Sequence, residues 1–122
     1  MSGIVYKVLR RKEWDSARDS GSFPGSPDDL RDGFIHLSAA HQVRGVCERH
    51  FAGERDLVLL SFDAGRLGPA LKWEASHKGE AFPHLHGALP LALAHSIAEI
   101  RRGEDGRLMF PDEVSEMKPT RG

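Results

Sequence analysis

An almost uninterrupted apolar run, LVLLSF at residues 57–62, constrains the fold of this chain more than any other feature. The run is followed directly by Asp63, Ala64 and Gly65, which mark its end. Short apolar runs that lack polar alternation are typical of strands that are covered on both faces. We therefore predict that residues 57–62 form a core strand.

The length of the chain limits how much can be packed around such a strand. With 122 residues it is expected to form one domain and to bury roughly two-thirds of the surface that the unfolded chain exposes. The single cysteine, Cys47, can form neither an internal disulfide nor a thiolate zinc site by itself. This cysteine content fits a reducing compartment.

The charge balance and the N-terminal sequence disfavour several classes of partner. Lys and Arg number 17 against 18 Asp and Glu, so the net charge of -1 provides no global attraction for nucleic acid or anionic membranes. Residues 1–7 lack the features of a secretory signal, and no apolar stretch approaches the ~20 residues of a membrane span. We expect a cytoplasmic protein with a small-molecule or nucleotide ligand and no membrane partner; the oligomeric state stays open.

The first half of the chain alternates strand and helix patterns. Residues 4–9 predict a strand, and residues 12–20 predict a short amphipathic helix that ends at Gly21. Residues 20–33 are rich in Gly and Pro and predict a long loop of the kind that often lies over a binding site. Residues 34–38 (FIHLS) predict a strand, after which Ser38 can cap a helix that ends near Gly53.

The second half of the chain is dominated by extended segments. Residues 71–75 alternate as in a half-buried strand, whereas Pro83 limits residues 82–87 to an edge or irregular segment. Residues 89–94 predict a helical turn, and residues 95–101 and 107–110 predict a closing hairpin. The chain is thus predicted to be a single α+β domain over residues 1–110, with about six strands in a mixed or antiparallel sheet, two or three short helices and a frayed tail at 111–122.

Seven histidines in so short a chain need an explanation, because imidazole titrates near neutrality and binds metals. His36 lies on a predicted strand, so it either faces a cleft or is a hydrogen-bonded structural residue. His84 and His86 point to one face of an extended segment, as a metal or ligand pair or as a solvated pair. Glu80 follows a glycine and can serve as a general base beside a histidine, or be a solvated loop residue.

Other patterns point away from several enzyme classes. The sequence contains no nucleophile elbow, no P-loop and no dinucleotide fingerprint. Cys47 lies in the apolar stripe of its predicted helix, where a small buried residue is commoner than a nucleophile. The histidines lack the spacing of recognised zinc sites, so we predict no specific metal ligand set.

Five segments in a fixed order resemble the domain of unknown function 952 family of small, mostly bacterial proteins. The resemblance covers residues 4–110. The segments are Tyr6-Lys7-Val8-Leu9 with Glu13-Trp14, Gly33-Phe34-Ile35-His36-Leu37-Ser38, Asp56-Leu57-Val58-Leu59-Leu60, Leu71-Lys72-Trp73-Glu74, and Gly79-Glu80-Ala81-Phe82-Pro83-His84-Leu85. The family implies no established activity.

Residues 34–38 and 56–65 are also similar to the NAD-dependent RNA 2'-phosphotransferases of the ADP-ribosyltransferase superfamily. This similarity implies a split, strongly bent sheet that clasps the nicotinamide end of NAD. It implies a late catalytic glutamate near Glu80 or His84. It also implies a histidine on the first strand that contacts the cofactor, at the position where this chain has Lys7.

Two functions are compatible with these residues. The first is a transferase that uses NAD, because breaking the nicotinamide–ribose bond builds positive charge on the ribose and needs a carboxylate there. Its catalytic residues would be Glu80, His84 and His36, and its cofactor-binding residues would be Lys7, His36, Ser38 and Trp73. The alternative, favoured by Lys7 in place of a histidine, is a non-catalytic module that binds a small ligand or a metal.

Overall fold

The computed structural model describes residues 3–76 and 78–111. The elements follow in this order: β1 (Ile4–Arg10), α1 (Arg11–Ser20), β2 (Ser22–Phe23), α2 (Pro27–Asp32), β3 (Ile35–His36), β4 (Ser38–Ala39), α3 (Ala40–His50), β5 (Asp56–Asp63), α4 (Ala64–Leu67), β6 (Leu71–Ala75), β7 (Ala81–Leu85), β8 (Leu89–Pro90), β9 (Ala94–Arg102) and β10 (Leu108–Met109). Two 3-10 turns, Gly68–Ala70 and Leu91–Leu93, connect the later strands.

The apolar run at 57–62 lies in the centre of the main sheet. This five-stranded antiparallel sheet has the order β10-β9-β5-β1-β4. One face of β1 and β5 packs into a core with Leu9, Val58 and Phe62, and the other face packs with α3 through Val43 and Cys47. Both faces of β5 are therefore covered, as predicted, and the mixed α+β class with an antiparallel sheet is confirmed.

Residues 34–38 were expected to form one strand but divide between two sheets. β3 pairs with β7 in a three-stranded sheet of order β3-β7-β6, whereas β4 pairs with β1. The amide of Leu37 donates to the carbonyl of Pro83 at 2.9 Å, and Pro83 has no amide hydrogen to return the bond. The ladder with β7 ends there, and the chain crosses to β1.

Ser38 pairs with Tyr6 on β1 and does not cap α3, which corrects the predicted role. Its side chain is buried, and the start of α3 is instead satisfied by Gln42, whose side-chain oxygen accepts from the amide of Ala39 at 2.9 Å. Because β4 pairs with only two residues of β1, the edge of β1 beyond Tyr6 is left without a strand on that side. The gap between the two sheets opens at this edge.

The predicted loop at 20–33 contains regular structure, namely β2 and α2. Ser26 and Asp29 form a reciprocal capping box around Pro27, in which each side chain accepts from the other residue's amide. The helix ends at Gly33, whose φ of 86° favours glycine. The sequence signal at 26–29 was therefore a helix start, which the density of Gly and Pro obscured.

Three other expectations also change, two in the second half of the chain and one for the number of elements. β7 is the central strand of its sheet and not an edge. Pro83 is tolerated there because β3 pairs only with His84 and Leu85, so no ladder bond requires an amide hydrogen at residue 83. Residues 89–94 form β8 and a 3-10 turn, and β8 pairs with β2. The described residues hold ten strands, several of two residues, and four α-helices, more than the predicted six and two or three.

The closing hairpin of β9 and β10 forms as predicted. The tail expected at 111–122 lies outside the described residues except for Pro111. No helix in the described ranges has the length and apolar character needed to cross a membrane.

Candidate functional site

A cavity of about 570 Å³ opens where the two sheets separate. Its walls come from β1, the start of α2, the segment joining β3 to β4, the C-terminal end of α3 and the chain from Ser76 into β7. Five of the residues singled out in the sequence line this cavity: Lys7, His36, Ser38, Glu80 and His84. A volume of this size is typical of small-molecule sites.

Trp73 is placed elsewhere. It alternates with Lys72 and Glu74 on β6, and these two residues share a face with their register partners His84 and Phe82. Trp73 therefore points to the opposite face of the sheet from His84. Its side chain is 52% exposed there.

Lys7 is held in an ion pair and is not free to meet a ligand anion. Its ammonium lies 3.0 Å from one carboxylate oxygen of Asp29 and donates to the carbonyl of His36 at 2.9 Å. Both side chains are nearly inaccessible, and that of Asp29 is only 2% exposed. This pair joins β1 to α2 and to β3 across the floor of the cavity.

Asp29 is the hub of this network. Besides Lys7, its carboxylate accepts from the amide of Ser26 and from both the amide and the Nδ1 of His36, the last at 2.6 Å. Burial by itself raises the pKa of Asp29, but the bond from His36, the charge of Lys7 and the two amides outweigh it. The pKa therefore lies well below its ordinary value, and the carboxylate is ionised at neutral pH.

His36 has carboxylates on both ring nitrogens. Nδ1 meets Asp29, and Nε2 lies 3.0 Å from Asp32. Both nitrogens are therefore engaged by protein groups, and neither is open to a ligand. His36 is thus bound as a link between α2 and β3, while one side of its ring lines the cavity.

His84 is held differently. Its Nδ1 lies 2.8 Å from Glu74 on the neighbouring strand, and the ring of Phe34 stacks on it with centroids 4.1 Å apart. Glu74 also bonds Nε2 of His86 at 3.0 Å. Hydrogen bonds from His86 and then from His84 lower the pKa of Glu74. No described residue bonds Nε2 of His84.

Glu80 is presented by a tight turn and by a buried amide. The turn at 76–80 closes through a 2.8 Å bond from the amide of Ser76 to the carbonyl of Glu80. Gln42 donates from Nε2 to the Glu80 carboxylate and to the carbonyl of Ala81, both at 2.9 Å. The Glu80 side chain stays 53% exposed, so its carboxylate is fixed in place at the mouth of the cavity and is still accessible.

Cations and aromatic rings complete the walls. Arg49 and Lys78 line the cavity and are exposed, and neither forms an ion pair within the part of the chain that the structure describes. Phe51 and Phe82 add aromatic surface. Arg10 also lines the cavity but pairs with Glu54 at 3.1 Å.

Sequence reasoning missed two residues on which this arrangement depends, Asp29 and Gln42. The capping box at residues 26–29 could have indicated the helix but not the contact of Asp29 with Lys7, which is 22 residues away. Gln42 reaches Glu80 across 38 residues, a contact that no local pattern indicates.

Two further features concern metals and thiols. Within residues 3–76 and 78–111, no group of three or more His, Cys, Asp or Glu side chains is arranged to hold a metal ion. Cys47 is fully buried, and burial raises the pKa of its thiol to about 12. The expectation that Cys47 is a packing residue in the apolar stripe of α3 is confirmed.

Comparison with protein-family models gives a match over residues 8–97 to a family described as protein of unknown function, DUF952. The chain belongs to the DUF952 family. The resemblance seen in the sequence is thereby confirmed at the level of the family. Comparison with curated proteins gives no match.

The chain is also similar to solved protein structures. The crystal structure of protein CC0527 from Caulobacter crescentus is similar with a TM-score of 0.85 and 42% identity, covering 93% of this chain and 99% of that one. The solution NMR structure of CC0527 has a TM-score of 0.76 and 46% identity, covering 84% and 89%. The chain thus shares the fold of CC0527, and these comparisons lend no support to an ADP-ribosyltransferase assignment.

Proposed function

We propose that the cavity binds NAD and that the protein breaks the nicotinamide–ribose bond, transferring the ADP-ribosyl group. The observation that carries the proposal is Glu80, an accessible carboxylate that Gln42 fixes at the mouth of a cavity walled by aromatic rings and unpaired cations. The gap between two antiparallel sheets is the setting that the sequence similarity to NAD-dependent RNA 2'-phosphotransferases implies.

Glu80 supports the chemical step. As nicotinamide leaves with the bonding electron pair, positive charge grows on the ribose, and a preorganised carboxylate stabilises that charge. Gln42 donates to one oxygen of Glu80 and leaves the other without a protein donor among the described residues. Asp29 is also in the cavity wall, but its charge is already balanced by Lys7, and its oxygens are engaged by His36.

The diphosphate is assigned to Arg49 and Lys78. Lys7, which the sequence suggested for cofactor binding, is neutralised by Asp29 at 3.0 Å, so its charge is not available to an anion. Arg49 and Lys78 line the same cavity without carboxylate partners in the described ranges. Charge-assisted bonds from such groups are the strong contacts in phosphate binding.

The test is calorimetric titration of NAD into the protein, together with chromatographic detection of released nicotinamide. Arg49→Ala should weaken NAD binding roughly tenfold, since a bond to a charged group contributes about 1.5–3 kcal/mol. The matched control is Arg66→Ala, which removes an exposed arginine outside the cavity. Absence of binding at millimolar NAD would refute the proposal.

The chemical role of Glu80 is tested separately. Glu80→Gln should retain NAD binding but release nicotinamide about 100-fold more slowly, the usual loss when one stabilising group is removed. Glu104→Gln makes the same change in the β9–β10 turn and should behave as the unaltered protein. NAD binding without nicotinamide release in the unaltered protein would establish the alternative, a non-catalytic binding module.

A further inference from the structure

One ring nitrogen of His84, Nε2, forms no hydrogen bond with any residue that the structure describes. The side chain is 11% exposed and lines the cavity, and Nδ1 is engaged by Glu74. No buried side-chain nitrogen or oxygen in the described residues lacks a hydrogen-bond partner. Since Nε2 has no protein partner among those residues, it keeps some exposed surface, on a side chain that lines the cavity.

This arrangement differs from that of the other histidine in the cavity wall. Both ring nitrogens of His36 are engaged by carboxylates, so neither is open to a ligand in the cavity. His84 has one bound and one free nitrogen, as a general base requires. Glu74 accepts the Nδ1 proton, which leaves the lone pair on Nε2.

We infer that His84 is the general base that deprotonates a hydroxyl acceptor, an alcohol or water, and that Glu74 is its positioning residue. The inference rests on the proposed function and deepens it by naming the acceptor class. The acceptor oxygen forms a bond to C1 of the nicotinamide ribose, and its proton passes to Nε2 of His84. The bond from C1 to nicotinamide breaks, and nicotinamide leaves as a neutral molecule. One proton is then released to solvent.

The surroundings of His84 favour this role. Phe34 covers one face of the ring, so the ring cannot turn away from the cavity without losing that stack. The charged and titratable groups around His84 are Glu74 and Lys72 from β6, His36 from β3, and His86 just after the end of β7. Glu74 is the one in hydrogen-bond contact with the ring.

The first test needs no substrate. Nuclear magnetic resonance of the full chain with ¹⁵N-labelled histidine reports which ring nitrogen carries the proton, and His84→Asn identifies the His84 signals by their loss. We expect the neutral form of the His84 ring to carry its proton on Nδ1, and a mixture of tautomers in Glu74→Gln. Protonation on Nε2 in the unaltered protein would overturn the inference, independently of whether the protein binds or cleaves NAD.

The second test measures nicotinamide release and transfer to an added alcohol as a function of pH. His84→Asn keeps a side-chain N–H toward Glu74 but has no base, so the rate should fall about 100-fold while NAD affinity changes less than threefold. Because a general base acts only in its unprotonated form, the pH profile of the rate should differ between the unaltered protein and His84→Asn. The control is His86→Asn, which contacts the same Glu74 but does not line the cavity.

The outcomes separate the two proposals. Release in the unaltered protein with an unchanged rate and pH profile in His84→Asn overturns the general base and leaves the NAD site standing. A protein that neither binds nor cleaves NAD overturns the NAD site, and with it the acceptor step.

Discussion

Replacing Asp29 by Asn should destabilise the protein far more than its position in a polar, proline-containing segment indicates. The carboxylate is buried and accepts bonds from Lys7, Ser26 and His36. In Asp29→Asn the shape is kept, but Lys7 becomes a buried cation without a counter-charge, and one oxygen is replaced by a donor that faces other donors.

The expected magnitude follows from this geometry. Removing one partner of a buried ion pair costs about 3–5 kcal/mol, because the remaining charge is left without compensation. Lys7 keeps its 2.9 Å bond to the His36 carbonyl, and the Asn oxygen can keep part of the network. We therefore expect the lower end, a loss of about 3 kcal/mol in the free energy of unfolding.

The assay is urea denaturation at pH 7, followed by the fluorescence of Trp14, which packs against the core. The control is Asp28→Asn, the adjacent carboxylate, which is 60% exposed and pairs with Arg31 at the surface. It should change stability by less than about 0.5 kcal/mol. Adding Lys7→Met to Asp29→Asn should cost less than the sum of the single changes.

A loss below about 1 kcal/mol in Asp29→Asn, or an equal loss in both Asn variants, would refute the reasoning. It would mean that solvent compensates Lys7, and that the contact between α2 and β1 does not hold the cavity floor.

Three further predictions concern the same fold. Because the pKa of Asp29 is lower in the folded than in the unfolded state, its contribution to the free energy of unfolding is complete above the unfolded pKa of about 4 and is lost as the pH falls below that value. Urea midpoints between pH 5 and pH 2 should therefore fall more steeply for the unaltered protein than for Asp29→Asn. Parallel curves would contradict this. Burial raises the pKa of the Cys47 thiol to about 12, so Cys47 should resist iodoacetamide in the native state and react in urea. Mass spectrometry measures the labelling, and rapid labelling of the native protein would exclude the buried position. Phe62→Ala should cost about 3–5 kcal/mol in the same urea assay, because Phe62 is fully buried in the β5 core; a loss under about 1 kcal/mol would place it at the surface.

Where local pattern decides an element, sequence reasoning succeeded. The apolar run of β5, the amphipathic α1 and α3 and the β9–β10 hairpin each carry their periodicity within a few residues. The segment at 34–38 carries a correct strand signal, but its division between two sheets depends on Pro83, which lies more than 45 positions later and ends the ladder. A single strand pattern carries no information about which partner each residue finds.

The candidate site shows the same division. Glu80, His84, His36, Ser38 and Lys7 were selected for their chemistry, and they line one cavity. Their individual states could not be predicted. Lys7 is neutralised by Asp29, and His36 is bound on both nitrogens, whereas His84 has one nitrogen free. Trp73 had an equally reasonable chemical profile, but strand alternation turns it to the opposite face.

The sequence by itself determined the α+β class, the family and the residue types available for chemistry, because hydrophobic periodicity and side-chain identity are local properties. Only the tertiary structure decided which carboxylate neutralises which cation and which imidazole nitrogen stays open to a ligand. Those outcomes depend on contacts between residues that lie 10 to 38 positions apart, such as Glu74 with His84 and Gln42 with Glu80. Electrostatic partnership acts over a few ångströms of space, and the order of the chain does not encode that distance.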